Sequence, residues 1–328
     1  MSSILSAKHF HDEAAAYRFL ESHIWPDGPV CPHCGVVGES KALKGSSTRP
    51  GVYKCYACRK PFTVKVGTIF EASHIKLHIW LQAIFLLTSG KKGFSSNQLS
   101  RVLGVTLKSA WFMSHRIREA MRDGLLAPMG GAGQVVEADE TYFGPKSEIR
   151  TETTSGRPFT KGGKTGPSSK RAIVSLVQRG GNVRSFHVEN ADKATVASIV
   201  VQNVAQEAKL YTDESRLYLG ADAHVSEHES VKHSAKEYVR YVDGAKIHTN
   251  TVEGVFSIFK RGMKGVYQHC DEKHLHRYLA EFDFRYNNRV ALGVHDETRA
   301  INAIKGAKGK RLTYRTVGGA NGRKEAEV

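Results

Sequence analysis

The chain has 328 residues, a length that fits two or three domains, and 40% of them are hydrophobic, enough to fill buried cores. Its 48 Lys and Arg against 32 Asp and Glu leave a formal charge of +16, which points to a polyanionic partner, with nucleic acid ahead of a membrane surface. No apolar run reaches the roughly 18 residues of a membrane span. The opening MSSILSAKHFHDEAAAY carries acids where a signal peptide needs an apolar block, so a soluble cytoplasmic protein with no membrane contact is expected.

Four of the five cysteines come first in chain order, as CPHCG and CYAC. Cys31, Cys34, Cys55 and Cys58 give the spacing C-x2-C-x20-C-x2-C, two knuckles that present four thiolates to one tetrahedral ion and leave no open position for catalysis. A structural Zn2+ is expected there, with KALKGSSTRPGVYKC as a hairpin between the knuckles, and Phe62, Val64 and Val66 continue as a strand. Clustered pairs in an intracellular chain favour metal over disulfides, and Cys270 reads as a lone thiol.

From Ile75 the pattern turns helical. IKLHIWLQAIFLLTSG is an apolar helix, and SSNQLSRVLGVTLKSAWFMSHRIREAMRDG follows as helix, tight turn at Gly104 and longer helix. That is a helix-turn-helix shape. On the polar side of the longer helix, Lys108, Ser109, His115, Arg116 and Arg118 suit phosphates and base edges, and Lys108 and Arg116 are the candidate DNA contacts.

The glycines of MGGAGQ read as a hinge into a further domain. QVVEADETYFG is a β-prone run in which Glu137 and Asp139 share one face and Glu140 points to the other. A basic loop over residues 144–171, with seven Lys or Arg, is expected as a mobile DNA-gripping arm or a disordered linker. RAIVSLVQRGGNVRSFHVEN is a hairpin, ADKATVASIVVQNVAQEA a helix, and AKLYTDES a strand ending at Asp213 and Glu214. Asp222, in the less regular LGADAHVSEH, is a rival to Asp213.

HTNTVEGVFSIFKRG is an amphipathic helix. Val252, Val255, Phe256 and Phe259 form its core face, while Asn250, Glu253, Ser257 and Lys260 form a polar stripe. Glu253 and Lys260 stand two turns apart, about 10 Å along the axis and too far for a simple ion pair. Two strand-end acids plus Glu253 are the parts of a two-metal site for phosphoryl transfer, with Mg2+ or Mn2+ as the oxygen-loving ion. His224, His228, His233 and His248 are read as structural or DNA-facing. In the last clear helix Tyr278, Leu279, Phe282, Phe284 and Tyr286 are core, whereas Arg285, Asn287, Asn288 and Arg289 are candidates to close the site or touch DNA.

The set CPHC…CYAC, ADETYFG, LYTDES, VKHSAKEYVR, HTNTVEGVFSIFKRGMKGVY and HLHRYLAEFDFRYNNR resembles the DDE transposases of bacterial insertion sequences, in particular the zinc-ribbon group related to Merlin elements. The resemblance spans about residues 15 to 290 and is most specific from His248 to Asn288. It implies a ribonuclease-H-like catalytic fold, dependence on Mg2+ or Mn2+, and cleavage and joining at terminal inverted repeats. By that resemblance Asp139 and Asp213 are the first two catalytic acids, Glu253 the third, and Lys260, with Arg261 beside it, contacts DNA near the cut end. Some relatives carry Asn as the third residue, so Asn250 stays open beside Glu253.

The expected architecture is therefore multidomain α+β: a four-cysteine zinc ribbon with an N-terminal helix over 1–70, a helical, helix-turn-helix-like DNA-binding domain over 71–129, a ribonuclease-H-like α/β catalytic domain over 130–295, and a basic flexible tail over 296–328. The expected function is a transposase acting on terminal inverted repeats and target DNA as a homo-oligomer, nucleoid-associated when bound. A non-enzymatic zinc-ribbon/helix-turn-helix regulator and a ribonuclease-H-like nuclease that cuts without joining are the alternatives.

Overall fold

The computed structural model of the chain describes residues 3–122, 124, 127–146, 150–152, 158–160, 169–242 and 244–313. It opens with helix α1 (Glu13–Ile24), whose N-cap Asp12 accepts from the backbone N–H of Ala15 at 2.7 Å. Strands β1 (Ser40–Ala42), β2 (Tyr53–Cys55) and β3 (Pro61–Phe62) form an antiparallel sheet in that order. The hairpin expected between the cysteine knuckles is thus present, while the third strand stops at Phe62.

Helices α2 (Leu77–Ser89), α3 (Ser96–Leu103) and α4 (Leu107–Met121) follow. Ser95 and Thr106 cap α3 and α4 through their hydroxyls, and Gly104 makes the turn between them at φ +64°, a conformation that glycine adopts without penalty. One core collects Leu20 of α1, Trp80 and Ile84 of α2, Leu99 of α3 and Met113 and Ile117 of α4. The N-terminal helix therefore packs with the helical layer, and the ribbon keeps only a small cluster of its own around Cys31, Cys55 and Phe62.

The catalytic-type sheet starts with β4 (Val135–Pro145). Two short paired strands, β5 (Arg150–Glu152) and β6 (Pro158–Thr160), lie within the basic segment expected as a bare loop, and the rest of that reading falls outside the described residues. Next come β7 (Lys170–Gln178), β8 (Val183–Val188), helix α5 (Lys193–Asn203), β9 (Lys209–Asp213), β10 (Glu227–Val231), a small hairpin of β11 (Arg240–Val242) and β12 (Ala245–Ile247), then α6 (Asn250–Gly262), α7 (Leu275–Asn287) and α8 (Asp296–Lys305). The five-stranded sheet runs β10-β9-β4-β7-β8. Strands β4, β7 and β8 are an antiparallel meander, and β9 and β10 extend the other edge in parallel. This is the ribonuclease-H-like arrangement that the sequence led us to expect.

Alternation along the strands sends their side chains to two separate cores. Val136, Ala138, Val174 and Leu176 pack under α5, while Ile173, Val177 and Val183 pack under α6 and α7 with Val252, Phe256, Phe259 and Phe282. Gly262 lets α6 and α7 meet, since a Cβ there would fall 2.5 Å from the Phe282 ring.

The flexible tail expected from residue 296 is corrected by the structure. Helix α8 packs on α2, and Ala300, Ala303, Ile304 and Ala307 are buried in the helical core. Beyond it Gly309 donates to the carbonyl of Gly67 at 2.8 Å, so the chain is held to the first layer as well. Residues 314–328 lie outside the described residues. Among the described residues no helix is long and apolar enough to cross a membrane.

Candidate functional site

Two clusters of metal-ligating side chains stand out among the described residues. In the ribbon, one sulfur from each of Cys31, Cys34, Cys55 and Cys58 lies within 4.8 Å of the others. The cross pairs Cys31–Cys58 and Cys34–Cys55 are each 3.7 Å apart, well beyond a disulfide bond. Backbone amides of the second knuckle, that of Cys58 first, draw the Cys55 thiol down, while at Cys34 the Val36 amide is outweighed by burial and the other three sulfurs, which push that thiol up. Four thiols in that arrangement form a closed tetrahedral site.

The second cluster is built by the sheet. The parallel register of β4 and β9 pairs Val135 with Lys209 and Glu137 with Tyr211, and the same offset carried forward sets Asp139 beside Asp213. Oxygens of Asp139, Glu140 and Asp213 all lie within 4.8 Å of one another. Burial, then the charges of Asp213 and Glu140, push the Asp139 carboxyl up to about 8. Three carboxylates drawn this close repel one another, and an oxygen-only donor set of this kind fits a hard divalent cation that would relieve the repulsion.

Helix α6 closes the cleft. Glu253, Ser257, Lys260 and Arg261 line a cavity of about 820 Å3 together with Asp139 and Glu140. Lys260 sits near enough to Asp139 for that carboxylate to raise its pKa, although burial acts first and the net direction is down. The helix is held in place by Glu137, which is fully buried. Its carboxylate accepts from Arg179 Nε at 2.7 Å, from the amide and hydroxyl of Thr251 at 2.8 Å each, and from the amide of Val252 at 3.1 Å. A strand carboxylate two residues from Asp139 therefore caps the first turn of α6, where the helix dipole favours negative charge.

Comparison with known proteins fits this geometry. The profile described as the ISXO2-like transposase domain of the IS1595 type matches residues 131–287, and the one described as the transposase zinc-ribbon domain matches residues 11–61. Together these matches support a DDE transposase of the IS1595 type. A relative described as an uncharacterized protein in transposable element ISH50 of Halobacterium salinarum is 29% identical over 289 residues, covering 86% of this chain and 93% of its own length. Among solved structures, the Mos1 transposase paired-end complex with left transposon end covers 71% of this chain and 79% of its own at 13% identity, with a TM-score of 0.27. The Mos1 mariner paired end complex with Mn covers 59% and 72% at 10% identity, with a TM-score of 0.22. At those scores the likeness carries no argument about this transposase.

Within the transposase, Asp139 and Asp213 converge, Asp213 at the end of β9 as expected but Asp139 in the middle of β4, which runs on to Pro145 beside β7, while Asp222 sits exposed in a short 3-10 turn outside the cluster. Glu253 faces the same cleft but stands outside the 4.8 Å group; it accepts from Thr249 Oγ1 at 3.3 Å, and His233 lies 3.7 Å away. Asn250 is exposed at the first position of α6 and is not in the cleft wall. His248 leans on Glu137 at 3.3 Å, so it belongs to the anchor of α6. Glu140, which the sequence placed on the opposite face, is the member that reading missed. Hydroxyls of Ser215 and Tyr218, each at 3.2 Å, hold its longer side chain toward the other two acids.

On α4 the expected outward polar face is corrected. Arg116 is 5% exposed and donates to the carbonyls of Ile69, Glu71 and Leu312, so it has no exposed guanidinium for DNA. His115 and Arg118 are each 1% exposed. Lys108 does stand at the surface. On α7, Arg285 is buried against Glu281 and Asn287 bonds the backbone of Val183, and just past its end Arg289 donates to the carbonyl of Gly181, so these residues fasten α7 instead of facing the cleft.

Proposed function

We propose that this transposase binds the terminal inverted repeats of its element, hydrolyses the strand at the element's end and joins the freed 3′ hydroxyl to target DNA. The observation that carries this reading is the convergence of Asp139 and Asp213 in register, with Glu253 and Lys260 of α6 across the same cleft.

Asp139 and Asp213 hold the cations, with Glu253 completing the set as the third acid once DNA is in the cleft. Divalent cations, Mg2+ or Mn2+, supply the charge that activates the attacking oxygen and offsets the leaving one when bound. Lys260 holds a phosphate oxygen two helical turns from Glu253, and Arg261 and Lys264 extend the basic wall. In the first step water attacks the phosphorus, the P–O3′ bond breaks and the 3′ oxygen leaves as a hydroxyl. In the second, that hydroxyl attacks a target phosphodiester in line, the target's P–O3′ bond breaks, the proton passes to the departing 3′ oxygen and no covalent protein intermediate forms. The four ribbon thiolates hold Zn2+ as a structural staple, and Lys108 contacts DNA phosphates from α4. Two or more copies act together on paired ends in the cytoplasm; a single copy in an active complex, measured by sizing, would overturn that point.

Strand transfer with the element's flanking inverted repeats tests the reading, comparing wild type with Asp139→Asn, Asp213→Asn and Glu253→Gln. Joined products that vanish in all three support it. Cleavage without joining indicates a nuclease, binding without cleavage a regulator, and survival of Glu253→Gln moves the third role to Asn250.

A further inference from the structure

Beyond α6 the helix widens into a π-turn over Met263–Tyr267, and Gly265 in this turn lines two cavities. One is the carboxylate cleft. The other is a groove of about 1400 Å3 between the first turns of α3 and α4, the π-turn and the start of α7. Lys108, Lys273, Arg277 and Arg311 line it, and no carboxylate does among the described residues. Arg277 and Arg311 are also paired with Glu119 and Glu71. A polyanion entering the carboxylate cleft over Gly265 would therefore continue into a basic groove.

Its wall is also aromatic. Trp111, half-buried on α4, has its ring 4.2 Å from His115 and 5.6 Å from His274, and Tyr278 lies 5.8 Å from His115. His115 is 1% exposed, yet neither of its ring nitrogens has a hydrogen-bond partner. Burial and then the neighbouring Arg118, His274, Arg277 and His276 push its pKa down to about 2, so the ring is neutral, with one donor and one acceptor. Buried polar groups left open in this way are uncommon in folded proteins. A phosphate would use the cations alone, whereas a nucleobase also uses a flat aromatic face and a donor–acceptor pair at its edge.

We propose that this groove receives one unpaired nucleobase from the DNA end, stacked on Trp111 with His115 beneath it. A base in an intact duplex presents no free face, so the nucleotide has to leave the stack before it reaches Trp111. The inference rests on the transposase reading above and adds a subsite for its DNA.

The test scores binding alone, in the full chain carrying Asp139→Asn so that DNA is not cut. Duplexes of the element's end are compared, fully paired or with one mismatch moved stepwise away from the cleavage point. Unpairing a base in advance removes a cost that the protein would otherwise meet. Tighter binding by about tenfold or more is therefore expected at one mismatch position, the scale of a single base–aromatic stack. Trp111→Ala should abolish that gain and Trp111→Phe, which keeps a stacking face, should retain it. A flat mismatch profile, or a gain that survives Trp111→Ala, would overturn the proposal. Cleavage by wild type that needs Asp139, together with a flat profile, would leave the transposase reading standing and remove only the base pocket. Absence of any binding to the element's end would remove both.

Discussion

Replacing Glu137 with alanine tests whether α6 is positioned from within the sheet. The carboxylate collects Arg179, the amide and hydroxyl of Thr251 and the amide of Val252, and none of its surface reaches solvent. Removing one partner of a buried, hydrogen-bonded charge pair costs about 3–5 kcal/mol, because the remaining groups lose their acceptor. Arg179 keeps bonds to the carbonyls of Lys246 and His248 and its side chain is 24% exposed, so part of its charge returns to water. The lower end, about 3 kcal/mol, is therefore expected. The loss should be local, read as faster hydrogen exchange through the first two turns of α6. With the helix start released, Glu253 and Lys260 lose their setting against Asp139, and a misplacement of about 1 Å lowers turnover roughly a hundredfold. DNA affinity should fall less than turnover, because Lys260 and Arg261 lie on α6 while Lys108 contacts DNA from α4. A Glu137→Ala chain with wild-type exchange in α6 and wild-type cleavage would refute the anchoring argument.

Three further outcomes follow from the same geometry. In the absence of divalent cations Asp139 holds its proton up to about 8 in the folded chain but only to its ordinary 3.8 when unfolded. The folded state then binds the extra proton between those values, so stability falls as pH rises across that window. Asp139→Asn should flatten that slope and stabilise the chelated chain at its upper end by roughly 2–4 kcal/mol, less than the full shift implies because neighbours relax. Added Mg2+ should reverse the order in urea unfolding; an unchanged slope would count against the crowding of the carboxylates. Arg116→Ala should lower stability by about 2 kcal/mol through its lost carbonyl bonds and leave the salt dependence of DNA binding alone, whereas Lys108→Ala should reduce that salt slope by about one. Chelating the ribbon metal, or Cys55→Ser, should unprotect the β1–β3 sheet while α6 keeps its exchange rates, since the ribbon's own core is small. One zinc per chain by elemental analysis is the expected stoichiometry, and none bound would remove the staple.

Features written in local spacing were legible in the sequence. The two knuckles fix four thiols by chain geometry, the period of Val252, Val255, Phe256 and Phe259 gives the buried face of α6, and the β-prone runs that carry Asp139 and Asp213 become neighbouring strands that set both acids side by side. What stayed hidden depends on partners far along the chain. The charges of α4 look like a wet face, yet Arg118 finds Glu281 163 positions away and Arg116 meets the carbonyl of Leu312. Strand β10, EHESV, is polar because it lies at the sheet edge, so it carries little hydrophobic signal. Helix α8 buries Ala300, Ala303, Ile304 and the paired Arg299, and it runs on into glycines and lysines, a composition that reads as tail. Glu140 was assigned by alternation alone, which says where a side chain leaves the strand and not where hydroxyls from the next turn will draw its end.

The same distant contacts explain why the helical layer and the catalytic sheet share a wall. Glu281 on α7 is 0% exposed and accepts from Arg118 of α4 at 2.6 Å, from Arg285, and from the Tyr267 hydroxyl of the π-turn. Tyr267 in turn accepts from the amide of Phe94, just ahead of α3, at 3.3 Å. Burying these charges is expensive and gives weak evidence for stability by itself. Their placement is more informative. The Arg118 guanidinium lies 4.0 Å over Tyr278 and 5.1 Å over Tyr267, so its unbonded edge meets aromatic faces instead of water. The π-turn arises where the chain leaves α6 and must bring Tyr267 inward to Glu281. One carboxylate thus sets the approach of α4, α7 and the turn that carries Lys264 and Gly265, and with it the distance from the basic groove to Asp139.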